Sequence, residues 1–222
     1  MTGPTRTTAI DGLMQAVEQA DSAEALVQAT RSLAASRQAA AAPTLVQVLG
    51  YNNPGAAVAA VEGLIALGVE AVPALLDQLD PRNYGARAWA VRALAGIGDV
   101  RGLAVLEDAL ATDVGPSVRR AAARGLGQLH LNGLPAEQQS TIRERCLLAL
   151  EAATGDGEWV VRYAVAAGLE SLALAAPVDD GAHRPRVRQA LEQLAAGSAA
   201  DLEAAPVVQL RARLALDRLP VP

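Results

Sequence analysis

The sequence predicts an all-α fold: a right-handed, armadillo-like α-solenoid of about five stacked helix pairs plus an N-terminal capping helix. Three observations predict it. The 222 residues are 51% hydrophobic but only 2% aromatic, with no Phe, so the apolar bulk is Ala, Leu and Val. Ala and Leu lead the helix-propensity scale, and small side chains let helices approach closely. β-Branched runs long enough for strands are missing. Finally, one short pattern recurs along the chain, and self-similarity of this kind marks stacked repeats.

The pattern is clearest in Tyr84-Gly-Ala-Arg-Ala-Trp-Ala-Val-Arg-Ala-Leu94, Pro116-Ser-Val-Arg-Arg-Ala-Ala-Ala-Arg-Gly-Leu126 and Trp159-Val-Val-Arg-Tyr-Ala-Val-Ala-Ala-Gly-Leu169. Arg87, Arg119 and Arg162 share one slot, Leu94, Leu126 and Leu169 another, and Arg92 falls on Arg124. Weaker copies lie at 54–64 and 206–216. These are the second (B) helices of five pairs. The first (A) helices fall between them, at 40–49, 70–79, 100–111, 137–153 and 184–196, and a further helix at 22–37 caps the stack. Pro54, Pro116 and Pro206 stand at first helical positions, where a missing N–H costs nothing. Gly68, Gly98 and Gly155 stand where helices stop. A pair cannot bury its apolar face alone, so neighbours stack. The pattern P-x-V-R-x-x-A-x-x-x-L resembles the second helix of HEAT repeats. The chain therefore reads as one HEAT-repeat domain over 1–222, with a capping segment at 1–38, the best-matching repeats at 39–175 and a C-terminal capping repeat at 176–222. The long connection at 131–139, with Pro135, reads as an insertion.

Charge and cysteine content exclude several function classes. The formal net charge is −5, and all 19 basic residues are Arg. Non-specific nucleic-acid binding needs a basic field, which this chain lacks. A single cysteine, Cys146, excludes a disulfide framework and a multi-thiolate metal site, and no metal site is expected. The N-terminus has no apolar signal segment, and Arg, Glu or Gly interrupts each apolar stretch short of about 20 residues. The expectation is a soluble, cytoplasmic protein without a membrane span.

Helical geometry sorts the arginines. At about 100° per residue, Arg87, Val91 and Leu94 lie on one stripe facing the core, and Arg119 and Arg162 take the same slot. Asp113 precedes Arg119 and Asp156 precedes Arg162 by six residues, while Asp80 precedes Arg87 by seven. These residues are read as a structural ladder between repeats, built of partly buried ion pairs. Trp89, Arg92, Arg120, Arg124 and Tyr163 lie roughly 100–200° from that stripe, on the face a B helix turns toward a concave groove. Tyr84 and Trp159 are counted with them. Arg120 and Arg124, four apart, could clamp one anionic group. An ordinary charged surface with one half-buried Trp is the bland alternative; the functional reading is a groove for a planar ligand carrying carboxylates.

Longer stretches carry a more specific resemblance. Tyr51-Asn-Asn-Pro-Gly-Ala-Ala-Val-Ala-Ala-Val-Glu-Gly-Leu-Ile-Ala-Leu-Gly68, Asn83-Tyr-Gly-Ala-Arg-Ala-Trp-Ala-Val-Arg-Ala-Leu-Ala-Gly-Ile-Gly-Asp99, Ser117-Val-Arg-Arg-Ala-Ala-Ala-Arg-Gly-Leu-Gly127 and Glu158-Trp-Val-Val-Arg-Tyr-Ala164 resemble the F-type subunit of E/F phycobilin lyases. The resemblance covers roughly 40–175, and a generic HEAT repeat does not carry Asn-Tyr-Gly-Ala-Arg-Ala-Trp-Ala. It implies a cyanobacterial heterodimer with an E-type HEAT subunit. That pair attaches an open-chain tetrapyrrole, most commonly phycocyanobilin, to a cysteine of a phycobiliprotein α subunit such as that of phycocyanin, and some pairs also remove or transfer the bilin. The implied ligand is a substrate, and no cofactor is implied. Its two propionates suit Arg and its conjugated rings suit Trp and Tyr. The nucleophile belongs to the acceptor protein, so the catalytic residues of this chain stay unassigned. The Asn-His-Cys motif of lyase-isomerase subunits is missing: His130 is followed by Leu131, and Cys146 sits mid-helix as a small core residue. His130 is read as ending a B helix, where an imidazolium suits the dipole. Plain attachment is thereby favoured over attachment with isomerisation.

Rival readings remain at this point: a non-catalytic HEAT scaffold, a bilin carrier that leaves no covalent adduct, a lyase for another bilin or phycobiliprotein, and a HEAT-like DNA glycosylase. The last needs a basic groove, and the acidic balance counts against it.

Overall fold

The computed structural model describes residues 6–77, 82–176, 183–197 and 206–220, and these form helices, turns and loops with no strand among them. The chain divides into two compact units, Met1–Gly102 and Leu103–Pro222.

The first unit holds three helix pairs among its described residues: α1 (Arg6–Glu18) with α2 (Ala23–Ala35), α3 (Ala42–Val48) with α4 (Pro54–Leu67), and α5 (Val72–Asp77) with α6 (Tyr84–Ile97). Short 3-10 turns at Ala39–Ala41 and Gly68–Ala71 lead into α3 and α5. The second helices stack on one another, α2 on α4 and α4 on α6. Side chains that accept from orphan N–H groups set each B-helix start. Ser22 accepts from Ala25 N at 3.2 Å, Asn53 from Ala56 N at 3.0 Å and Asn83 from Ala86 N at 3.0 Å. Asn53 also donates Nδ2 to the Ala23 carbonyl at 2.9 Å, pinning the start of α4 to the start of α2. Gly98 ends α6 in the left-handed region (φ 71) and returns its N–H to Leu94 O. Leu33, Leu45, Leu49, Leu64, Leu75 and Leu94 are fully buried here, each contributing about 1.5–3 kcal/mol of transfer free energy.

One sequence expectation changes in this unit. A single capping helix at 22–37 is not what precedes the repeats. α1 packs on α2, and α2 stacks on α4 as a second helix does, so the stack opens with a complete pair. The repeat pattern could not find α1, because its buried contribution reduces to Ile10 and Val17 and its opening is Thr-rich. The apolar stretch Pro54–Asp77, with mean hydropathy 1.8 over its most apolar window, is long and apolar enough by composition to cross a membrane. It is not one rod, however. The chain breaks at Gly68 (φ 64), and α4 buries Ala56, Ala57, Ala59, Ala60, Gly63 and Leu64 within the stack. Asp80 lies outside the described residues.

The second unit also holds three pairs among its described residues: α7 (Leu103–Thr112) with α8 (Pro116–Leu126), α9 (Ala136–Ala152) with α10 (Trp159–Leu174), and α11 (Arg184–Ala196) with α12 (Pro206–Arg218). α8 stacks on α10 and α10 on α12, around fully buried Leu106, Leu126, Leu147, Leu150, Leu169 and Leu191. The approach of α8 to α10 is built from glycine. A Cβ added at Gly168 of α10 would lie 2.5 Å from the Ala123 carbonyl oxygen of α8, and one at Gly127 would lie 2.3 Å from the Gly168 oxygen. On the A helices, Arg145 of α9 pairs with Glu107 of α7. Arg186 of α11 spans Glu144 at 2.7 Å and Glu151 at 2.5 Å on α9. These pairs are a third to a half exposed on the Arg side, so screening keeps each one modest.

Candidate functional site

The arginines that the pattern places in one slot serve as staples where the structure describes their partners. Arg119 projects from the first turn of α8 and meets Asp156, in the turn before α10, in a two-pronged pair: Nε to Oδ2 at 2.7 Å and Nη2 to Oδ1 at 2.9 Å. Its Nη1 donates to the carbonyls of Asp113 (2.9 Å) and Val114 (3.1 Å). Arg162 repeats that last contact one pair on, donating Nη1 to the Asp156 carbonyl at 2.5 Å. Each Arg thus ties down the carbonyl six residues before it, which fixes the turn that starts its own helix. Asp113 and Asp156 also hold those turns directly, accepting from Gly115 N at 2.8 Å and Glu158 N at 2.9 Å. Burial alone would raise the Asp156 carboxyl. The hydrogen bond from Arg119, the Glu158 N–H and the nearby Arg162 charge outweigh it and hold the group below the usual carboxylate range. Arg87, in the same slot on α6, is half-buried in the first unit.

The second set of residues does not form one described cluster. In the first unit, Trp89 and Arg92 of α6 are half-buried and meet each other, with the guanidinium carbon 4.4 Å from the ring centroid. At that distance a cation–π attraction operates, and a stacked Arg keeps its edge for an anion. Tyr84, the first residue of α6, is 49% exposed.

In the second unit, the face of α8 and α10 carries a pocket of about 330 Å³ lined by Arg120, Arg124, Gln128, Tyr163, Ser171 and Arg211 over a floor of Ala164, Ala167 and Gly168. The close glycine contact makes that floor: because α8 and α10 nearly touch at Gly168, the side chains on either side splay and leave a hollow. Arg120 and Arg124 are exposed, one helical turn apart, and form no hydrogen bond or ion pair among the described residues. Tyr163 is one wall. Trp159, a turn earlier on α10, is exposed and does not line the pocket.

Sequence reasoning missed Arg211 and the group that holds it. Glu170, on α10, is 5% exposed and accepts from Arg211 and, at 3.3 Å, from Arg218 of α12. A charge this deep is stable only when paired. The Arg211 guanidinium also sits 6.0 Å from the Tyr163 ring centroid. One signal was available: Glu170 is the lone acid in the run Trp159–Leu174. Arg211 falls where the three stronger copies of the pattern carry Trp89, Ala121 and Ala164.

Cys146 and His130 stand apart from these groups. Cys146 is 1% exposed, and burial, with the Glu107 charge, pushes its thiol up to about 12. It is a protonated core residue, not a nucleophile. α8 ends at Leu126, so His130 does not cap the helix as the sequence suggested; it lies beyond, exposed in the loop between buried Leu129 and Leu131. Among the described residues no His, Cys, Asp and Glu cluster has a metal-holding arrangement.

The chain resembles known proteins over most of its length. The HEAT-repeat family profile matches residues 53–127 and 72–169. The chain is 57% identical over 164 residues to the phycocyanin alpha phycocyanobilin lyase CpcF of Synechocystis sp., covering 74% of this chain and 77% of that protein. It is 51% identical over 194 residues to the bilin biosynthesis protein RpcF of Synechococcus sp., covering 87% and 88%. Among solved structures, a chain of the complex of CpcE and CpcF of phycocyanin lyase from Nostoc sp. matches with a TM-score of 0.71 at 43% identity, over 80% of this chain and 99% of that one.

Proposed function

The chain belongs to the F-type subunits of the phycocyanobilin lyases, HEAT-repeat proteins, and from that premise we propose that it is one half of a heterodimeric enzyme that attaches phycocyanobilin to a cysteine of the phycocyanin α subunit. The likeness to a phycocyanin alpha phycocyanobilin lyase over most of both chains carries this reading. The other half is an E-type HEAT subunit, and the site of action is the cyanobacterial cytoplasm, where phycobilisomes mature.

The chemistry fits what the residues offer. Forming the thioether adds the acceptor S–H across an exocyclic double bond of the bilin: sulfur bonds to the ethylidene carbon and a proton goes to its neighbour. Nothing is oxidised or reduced, so the reaction calls for no cofactor on this chain. The acceptor protein brings the thiol, in keeping with the inert Cys146. What remains is positioning, and holding two reactants in register is worth a large fraction of such a barrier. The guanidiniums of the second unit suit the propionates, and Tyr163 offers a flat wall to a pyrrole ring.

The test is omission. Co-express the chain with an E-type subunit, the phycocyanin α subunit and a phycocyanobilin supply, denature the α subunit, and look for zinc-enhanced bilin fluorescence. The reading expects a covalent signal that disappears when this chain is left out. Equal signal without it would remove the chain from the reaction.

A further inference from the structure

The pocket of the second unit holds more positive charge than its own ion pairs neutralise. Arg120, Arg124 and Arg211 line one hollow, and Arg218 stands behind it, while Glu170 is the acid their helix face supplies. Arg120 and Arg124 carry no partner among the described residues. Arg211 is different in kind, since its side chain is only 11% exposed. Glu170 takes one nitrogen, the Tyr163 ring lies beside the guanidinium plane, and the buried Nη1 finds no acceptor among the described residues. A buried charged donor left unmade is costly, and native structures keep such groups where something else meets them.

Resting on the bilin reading above, we infer that Arg211, presented by the C-terminal helix and locked by Glu170, completes with Arg120 and Arg124 a carboxylate clamp that grips a propionate arm of the bilin. The three guanidiniums divide the work. Arg211 is fixed before the ligand arrives, so it selects at little entropic cost, whereas Arg120 and Arg124 are free to fold down on the second carboxylate oxygen. Gln128 and Ser171 are neutral donors at the rim. The small floor at Ala164, Ala167 and Gly168 admits a slender alkyl arm and leaves the conjugated rings against Tyr163.

The clamp is tested on the heterodimer by titrating phycocyanobilin and its dimethyl ester, reading the bilin absorbance band. The ester keeps the rings and loses the carboxylates. Wild type is expected to bind the diacid about tenfold or more tighter than the ester. Arg120→Ala/Arg124→Ala, at exposed positions that leave the fold alone, is expected to bring the two affinities together by weakening the diacid. Because Arg211 also neutralises buried Glu170, its variant is the charge-neutral pair Arg211→Gln/Glu170→Gln, which is expected to lose the same preference with ester affinity kept. Equal affinity of wild type for diacid and ester would overturn the clamp and leave the lyase reading standing. Loss of both affinities by the same factor in the variants would make the arginines structural and overturn it too. Loss of heterodimer assembly in Arg120→Ala/Arg124→Ala, with the diacid preference intact, would give the pocket to a carboxylate of the partner protein instead. No binding of either bilin, together with no covalent transfer, would remove the reading on which the clamp rests.

Discussion

Removing Arg119 should cost more than any surface arginine in the chain. Its side chain is 16% exposed and that of Asp156 is 10% exposed. Arg119→Met deletes two charge-assisted bonds to Asp156 and two bonds to carbonyls, and strands a largely buried carboxylate. Breaking a buried pair from one side costs about 3–5 kcal/mol. Asp156 keeps the Glu158 N–H, so the lower end applies, about 3 kcal/mol. Asp156→Asn should cost less, because no charge is stranded on the acid side. In a double-mutant cycle the pair should show coupling of about 1–3 kcal/mol. Its pH dependence follows from the direction of the Asp156 shift. The folded-state carboxyl titrates below its unfolded value of about 3.9, so its stabilisation is fully present above that value and is lost as pH falls through the lower folded pKa. The assay is urea unfolding followed by circular dichroism at pH 7 and at stepped values below 4. The gap between wild type and Asp156→Asn should close only at the acid end. Coupling below about 0.5 kcal/mol, or a gap that does not change with pH, would refute the staple.

Other consequences are simpler to test. Gly168→Ala drives a Cβ to 2.5 Å from the Ala123 carbonyl oxygen, where backbone must give way; thermal melting should show about 2–3 kcal/mol of destabilisation, with bilin binding impaired through the pocket floor. Cys146, with its thiol pushed up to about 12, should resist iodoacetamide in the native chain and react on unfolding, and Cys146→Ala should retain bilin transfer. Arg186→Ala breaks an exposed two-carboxylate span and should cost only about 1 kcal/mol, shrinking further in 1 M salt.

Much of the fold was legible because the recurring pattern carries its own punctuation. Pro54, Pro116 and Pro206 begin their helices, Gly98 ends one in the left-handed region, and the shared Leu94, Leu126 and Leu169 are buried. α1 was hidden because it carries no copy of that pattern. At the site, the stripe geometry separated Arg119, which turns to Asp156, from Arg120 and Arg124, which do not pair among the described residues. It could not see Arg211. The copy at 206–216 is one of the two weaker ones and carries Gln209 where the three stronger copies carry Arg, and among those three only Trp89 marks the slot that Arg211 fills. The deciding contact, with Glu170, joins residues on different helices, and only packing brings them together. The salt links across the A helices were missed for the same reason.

The central claim is that this chain helps make a covalent bond rather than merely holding a pigment. The most direct measurement is the intact mass of the phycocyanin α subunit after incubation with phycocyanobilin and the purified heterodimer. The account predicts a mass gain equal to one whole bilin, on a cysteine-containing peptide, as addition without loss requires, and no gain when either subunit is omitted. Bound bilin that dissociates on denaturation, leaving the α subunit at its original mass, would contradict it and make the protein a carrier.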